Sequence, residues 1–97
     1  MKAEDELACV TAFKTGTEVE RKKALTELTQ YHMVYLAKLV RGIYPNDNKY
    51  HGLSHLDLLQ VAVLRFIEKL DDYDIDSVYR LTTFYTREVK TTLFRYL

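Results

Sequence analysis

Apolar residues recur along this chain at three- and four-residue steps, the spacing of one face of an α-helix, and no strand-like alternation stands out. Over 4–13, Leu7, Val10 and Phe13 predict a short helix that Gly16 breaks. Thr17 and Glu20 then have the spacing of a capping box, in which each side chain satisfies an orphan backbone N–H at the start of a new helix. Leu25, Leu28, His32, Tyr35, Leu36, Leu39 and Ile43 continue as an amphipathic stripe, in one helix to about Tyr44 or in two pieces with a bend near Gln30. Gly42 weakens that end and Pro45 stops it, leaving YPNDNKYHGLS at 44–54 as a loop, long for a bundle connection.

Ser54 and Asp57 repeat the capping spacing and open the next helix. Leu56, Leu59, Val63, Phe66 or Ile67, and Leu70 mark one face of it, while Leu58, Val61, Ala62 and Leu64 leave apolar surface on the others. A helix apolar most of the way round is central to a core or docks a partner. The acidic run DDYDID at 71–76 opposes a helix macrodipole, so the helix is expected to end early in it. Thr82 or Thr83 caps a last helix whose core stripe is Tyr85, Val89, Thr92 or Leu93, and Tyr96. Its other face carries Phe84, Arg87, Glu88, Thr91, Phe94 and Arg95, with two aromatics and two arginines, unusual for a merely solvated surface. The expected fold is all-α: a compact bundle of three to four helices in one domain over 1–97, with 1–16 as an N-terminal helix or arm.

Composition supports that outline. An apolar content of 47% with 29% charged residues suits a folded chain rather than a disordered one, and 3 Gly with 1 Pro leave few breakers for long helices. The formal net charge is zero but unevenly placed. Over 57–77, Arg65 and Lys69 stand against six carboxylates, a net −4; over 78–97, Arg80, Arg87, Lys90 and Arg95 stand against Glu88, a net +3. A basic face behind an acidic neck still attracts phosphate locally. Cys9 is alone, so no internal disulfide forms and a reducing cytoplasm is the simplest setting. The acidic, polar start MKAEDELACV is no signal peptide, and no apolar run approaches the roughly 20 residues of a membrane span.

Catalytic and metal chemistry find little footing. His51 and His55 are four apart, but Gly52 and Ser54 put them in a loop and at a cap, with no thiol pair near. The acids at 71–76 lack the Gly and terminal Glu of a calcium loop. There is no Gly-rich phosphate loop and no nucleophile with a recognisable partner, so no enzyme, cofactor or metal is expected. Arg21, Lys22 and Lys23 read as a solvated turn, with phosphate contact as the alternative.

DLLQ at 57–60, an apolar helix, an acidic-aromatic turn and LTTFYTREVKTTLFRYL at 81–97 together resemble region 2 of bacterial sigma-70-type factors. The family pattern lies over 57–97 without a gap, and ALTELTQYHMVYLAKLV at 24–40 is similar to its preceding helices. The resemblance implies that the helix from Asp57 binds the clamp helices of the RNA polymerase β′ subunit. Asp57 and Gln60 would make hydrogen bonds there, with Val61, Leu64 and Arg65 nearby. It also implies that the last helix captures the non-template strand of a −10 promoter element. Phe84 falls where the family stacks an aromatic on a flipped adenine. Tyr79, Arg80 and Leu81 match the melting segment, and Thr83, Arg87, Thr91, Phe94 and Arg95 continue that face.

Arg87 and Glu88 stand where the family has a pair of large aromatics that wedge open the duplex, and Val61 where it often has an acid. The family's helix-turn-helix that reads the −35 element has no counterpart up to Leu97. The expectation is a stand-alone or truncated region 2-like factor, bound to polymerase core and promoter DNA, with a second chain supplying −35 contacts. The alternative is a polymerase- or sigma-binding adaptor that touches no DNA.

Overall fold

In the computed structural model, which describes residues 1–45, 52–77 and 79–96, four α-helices follow in chain order. They are α1 (Ala3–Thr15), α2 (Glu18–Ile43), α3 (His55–Asp72) and α4 (Leu81–Phe94). The fold is all-α, at the four-helix end of the expected range. Nothing between Thr17 and Gly42 breaks a helix, so α2 runs through Gln30 as one piece of 26 residues. At 1.5 Å per residue it is about 39 Å long, which sets the long dimension of the molecule, 41 Å.

Each helix packs on the next, and α2 also meets α4, closing α2, α3 and α4 into a bundle with α1 laid against α2. The core consists of rows four residues apart: Ala24, Leu28, His32, Leu36 and Val40 on α2, Leu58, Ala62, Phe66 and Leu70 on α3, and Leu81, Tyr85, Val89 and Leu93 on α4. Such rows form the ridges that interlock when helices pack.

These rows correct the expected stripes. On α2, Leu25, Tyr35, Leu39 and Ile43 are half-buried flanks of the Leu28–His32–Leu36 row. On α3, Leu56 is 64% exposed, whereas Leu58 and Ala62, expected on the outside, are fully buried. A helix apolar nearly all round offers two stripes of the same period, and only its neighbours choose between them. On α1, Val10 and Phe13 are buried as expected, but Leu7 is exposed and Glu6 is buried in its stead.

Both capping boxes form. The Glu20 N–H donates to Thr17 Oγ1 at 3.2 Å and the Thr17 N–H to Glu20 Oε1 at 3.4 Å. The Asp57 N–H donates to Ser54 Oγ at 3.2 Å and the Ser54 N–H to Asp57 Oδ2 at 2.9 Å. Neither Thr82 nor Thr83 caps α4. Burial of Leu81 starts that helix earlier, with Arg80 at the N-cap and no side-chain cap bond.

Helix α3 ends two residues into the acidic run, whose charges then act as fasteners. Asp71 pairs with Arg21 at 3.1 Å, and Asp72 with Lys69 at 3.3 Å. Arg21 also covers the Phe13 ring at 4.3 Å and so is tied into the scaffold, whereas Lys22 pairs with Glu18 one turn back on the same helix and both stay exposed. The buried Tyr44 hydroxyl donates to the Leu93 carbonyl, and His55 Nε2 donates to the Tyr44 carbonyl, bringing the two ends of the α2–α3 connection together. Residues 46–51, His51 among them, together with Val78 and Leu97 lie outside the described residues. Among the described residues no three His, Cys, Asp or Glu side chains are grouped to hold a metal, and no helix is long and apolar enough to cross a membrane.

One polar group of residues enters the core. His32 Nδ1 lies 2.8 Å from the Tyr85 hydroxyl, and Nε2 lies 3.5 Å from Glu6 Oε2. Burial, with Arg80 nearby, drives the imidazole pKa down to about 4, so the ring is neutral. A neutral ring carries one proton: with it on Nε2, facing Glu6, the Tyr85 O–H donates to Nδ1; with it on Nδ1, that N–H donates to the Tyr85 oxygen. Burial pushes the Glu6 carboxyl up, against the pull of Arg80 and the chain's N-terminal amine. The two groups therefore favour opposite ends of the pH scale. His32 supports the fold fully above its ordinary value of 6.5 and loses that contribution as pH falls toward 4. Glu6 supports it below its ordinary 4.5 and opposes it as pH rises through its raised value.

Three outcomes are expected. An NMR titration of the His32 ring has its midpoint near 4 rather than 6.5; a midpoint above 6 would refute the buried neutral ring. Glu6→Gln raises the melting temperature at neutral pH, and the gain shrinks once the pH is low enough to protonate Glu6. At the α1–α2 junction, a Cβ on Gly16 would stand 2.5 Å from the Ala12 carbonyl oxygen, so the backbone itself must shift. Gly16→Ala should cost about 1–3 kcal/mol in urea unfolding, and an unchanged midpoint would show that the junction yields freely.

Candidate functional site

The outward face of α3 presents the residues expected to meet a partner, with different degrees of freedom. Asp57 and Gln60 are exposed, and Leu64, one turn on, is 61% exposed. The Asp57 carboxylate serves the cap through Oδ2 alone, which leaves Oδ1 to a partner. The Ser54 backbone N–H, then its hydroxyl, hold that carboxyl below its ordinary range. Val61 is half-buried. Arg65 is largely committed within the bundle, donating to Glu68 at 2.8 Å and to Glu88 of α4 at 3.4 Å. The same contact answers the charge of Glu88, so that carboxylate is tied to α3 rather than standing bare on the α4 surface.

The α4 residues divide between two sides of their helix, because the row Leu81, Tyr85, Val89, Leu93 points inward and splits what remains. On the α2 side, Thr83, Arg87, Thr91 and Phe94 line an open trough together with Tyr35, Thr82, Thr86 and Lys90. Tyr35 and Thr86 share a hydroxyl–hydroxyl bond of 2.8 Å across its floor. Arg87 and Lys90 make no ion pair with any described residue, and Phe94 is 51% exposed. Tyr35 and Thr82 also line a second depression with Tyr31, Lys38 and Arg80, where Glu6 and His32 form part of the wall, so the trough continues along the α2–α4 seam toward the head of α4.

On the α3 side lie the other two. Arg95 lines a groove with Val61, Leu64 and Arg65, joining it to the α3 face instead of the trough. Phe84 is half-buried, its ring 5.4 Å from Tyr73 and 5.2 Å from the Lys69 ammonium. Tyr79 and Arg80 sit at the head of α4 beside α1, in a depression they share with Glu6, Leu7 and Val10.

Of the eight α4-region residues singled out from sequence, four therefore share the trough and Arg80 closes its far end; Tyr79, Phe84 and Arg95 stand elsewhere. Tyr31, Tyr35, Lys38 and Lys90 belong to the same trough and were not singled out for a site. Tyr35 reads as core from its helical spacing, and nothing in the sequence pairs the α2 flank with α4. The trough offers hydroxyls along its floor, aromatic rings at both ends, and cations on both rims. That combination suits a single-stranded, phosphate-bearing chain: rings replace base stacking and cations meet the backbone. No protein-family model, curated protein or solved structure matches this chain.

Proposed function

We propose that this chain is a sigma region 2-like factor that binds RNA polymerase core through α3 and holds the non-template strand of a −10-type promoter element along α4. The observation that carries this reading is the seam between α2 and α4. Arg87 and Lys90 make no ion pair with any described residue there, beside threonine hydroxyls and the exposed Phe94, in a trough open to solvent. The separate α3 face, with Asp57, Gln60 and Leu64 exposed, leaves room for a second macromolecule at the same time. On this reading the chain acts by binding rather than catalysis and works in the cytoplasm beside polymerase. Strand capture falls to Arg87, Thr83, Thr91 and Phe94, with Tyr35 and Lys90 added from the seam.

A second reading is a polymerase- or sigma-binding adaptor that uses α3 and leaves DNA alone. Phe84 favours it: the ring implied to stack on a flipped base is instead packed against Tyr73 and under Lys69.

Anisotropy with a labelled −10 non-template strand, in the presence of polymerase core, separates the two. Phe94→Ala is expected to cost about 1–3 kcal/mol of strand binding, the worth of one stacked base. Arg87→Ala should make the salt dependence shallower by about 0.7 in log–log slope. Both should leave core affinity unchanged. Leu64→Ser and Gln60→Ala should weaken core binding, about ten-fold for the leucine, without touching the cap that Asp57 serves. Core binding with no response to Phe94→Ala or Arg87→Ala establishes the adaptor, and failure to bind core at all removes both readings.

A further inference from the structure

Helix α1 closes over the head of α4 with a carboxylate. Glu6 is buried while its neighbour Leu7 is exposed, the reverse of what apolar packing alone selects. Glu6 Oε2 finds no hydrogen-bond partner among the described residues, and neither does His32 Nε2, 3.5 Å away. Buried carboxylates are ordinarily held by several donors. Among the described residues the side-chain cation within reach is Arg80, 3.9 Å away and itself 61% exposed. Burial raising the Glu6 carboxyl fits the same picture: in its closed place the charged form is under-supported.

The two halves of α1 are held differently. Toward its end, Val10 and Phe13 are buried, Arg21 covers the Phe13 ring, and Lys14 donates to the Asp71 carbonyl at 2.9 Å. Toward its start, the fastenings besides Glu6 are exposed ones. The Tyr31 hydroxyl donates to the Met1 carbonyl at 3.2 Å and the Cys9 thiol to Glu27 at 3.3 Å. The first two turns therefore lift at less cost than the last two.

Arg80 faces both ways. It borders the depression under α1 with Glu6 and Tyr79, and the far end of the α2–α4 trough with Lys38 and Tyr31. We infer that the first half of α1 is an intramolecular strap whose Glu6 carboxylate competes with a strand's phosphate for Arg80, so that closing the strap weakens strand binding in the trough. This rests on the trough being a single-strand nucleic-acid site. The titratable groups set against Glu6 include His32 from α2, Arg80 from the head of α4 and the N-terminal amine of the chain itself; Glu6, His32 and Arg80 all border the far end of the trough, so the carboxylate and a bound phosphate would meet at the same guanidinium.

Glu27→Cys in the full chain places a second thiol on the α2 turn that Cys9 faces, and a short bis-methanethiosulfonate linker ties α1 to α2 until reductant releases it. Affinity for a labelled oligothymidylate is measured by anisotropy on the monomer in both states, with wild type treated in parallel as the single-thiol control. The linked state should bind roughly five-fold more weakly, with a log–log salt slope shallower by about 0.7, the loss of one phosphate contact. Equal affinities in the two states, with Arg87→Ala still weakening binding, would overturn the strap and leave the trough intact. Absence of binding in both states overturns the two together. Hydrogen exchange on wild type provides an independent arm: oligothymidylate should speed exchange of the Leu7, Ala8 and Cys9 amides while the α2 core stays protected. Unchanged or slower exchange at those amides on strand binding also overturns the strap.

Discussion

The burial of Tyr85 is the contact on which the arrangement of this molecule turns. Its ring is fully enclosed, edge-on to His32 of α2 at 5.3 Å and to Phe66 of α3 at 4.8 Å, and its hydroxyl meets His32 Nδ1. One side chain thus keys α4 to both other bundle helices. A tyrosine buried this way needs a partner for its hydroxyl, and the neutral imidazole supplies it. Once Tyr85 points inward, Val89 and Leu93 follow at four-residue steps. The remaining α4 residues are then divided between a side facing α2 and a side facing α3.

That division changes the meaning of the last helix. Read as one face, it mixes Phe84, Arg87, Glu88, Thr91, Phe94 and Arg95. In the folded chain Glu88 is drawn to Arg65 and Phe84 to Tyr73 and Lys69, so two of the six are spent on holding α4 against α3. Arg87, Thr91 and Phe94 open instead onto the seam with α2. The acid that stands where a wedge would be is therefore a fastener, and the proposed strand path shifts from the α4 surface alone to the α2–α4 seam.

The acidic neck and α1 repeat that theme. Asp71 and Asp72 look like a solvated helix end, yet Asp71 ties α3 to Arg21 of α2, while Asp72 pairs with Lys69 within α3. Glu6 looks like one of three acids in a first helical turn, where carboxylates suit the helix dipole. Packing puts it in the core beside His32 instead. Several charges on this small chain join one helix to another, which is why a count of net charge by segment says little about which cations remain available.

Local chemistry was legible in the sequence. Both capping boxes, the breaks near Gly16 and Pro45, the helical class and the presence of four helical segments rest on interactions within a few residues, and each formed where the spacing placed it. Which stripe of each helix faces inward was only partly legible. Leu58 and Ala62 of α3 compete with Leu56 and Leu59 on equal periodicity, and the choice costs nothing until a neighbour arrives. The joining of Tyr35, Lys38 and Lys90 to Arg87 and Phe94, and of Glu6 to Arg80, belongs to tertiary structure alone. Residues some 50 positions apart meet only after helices pack, and helical period, which repeats within a turn, carries no information about which helix will stand alongside.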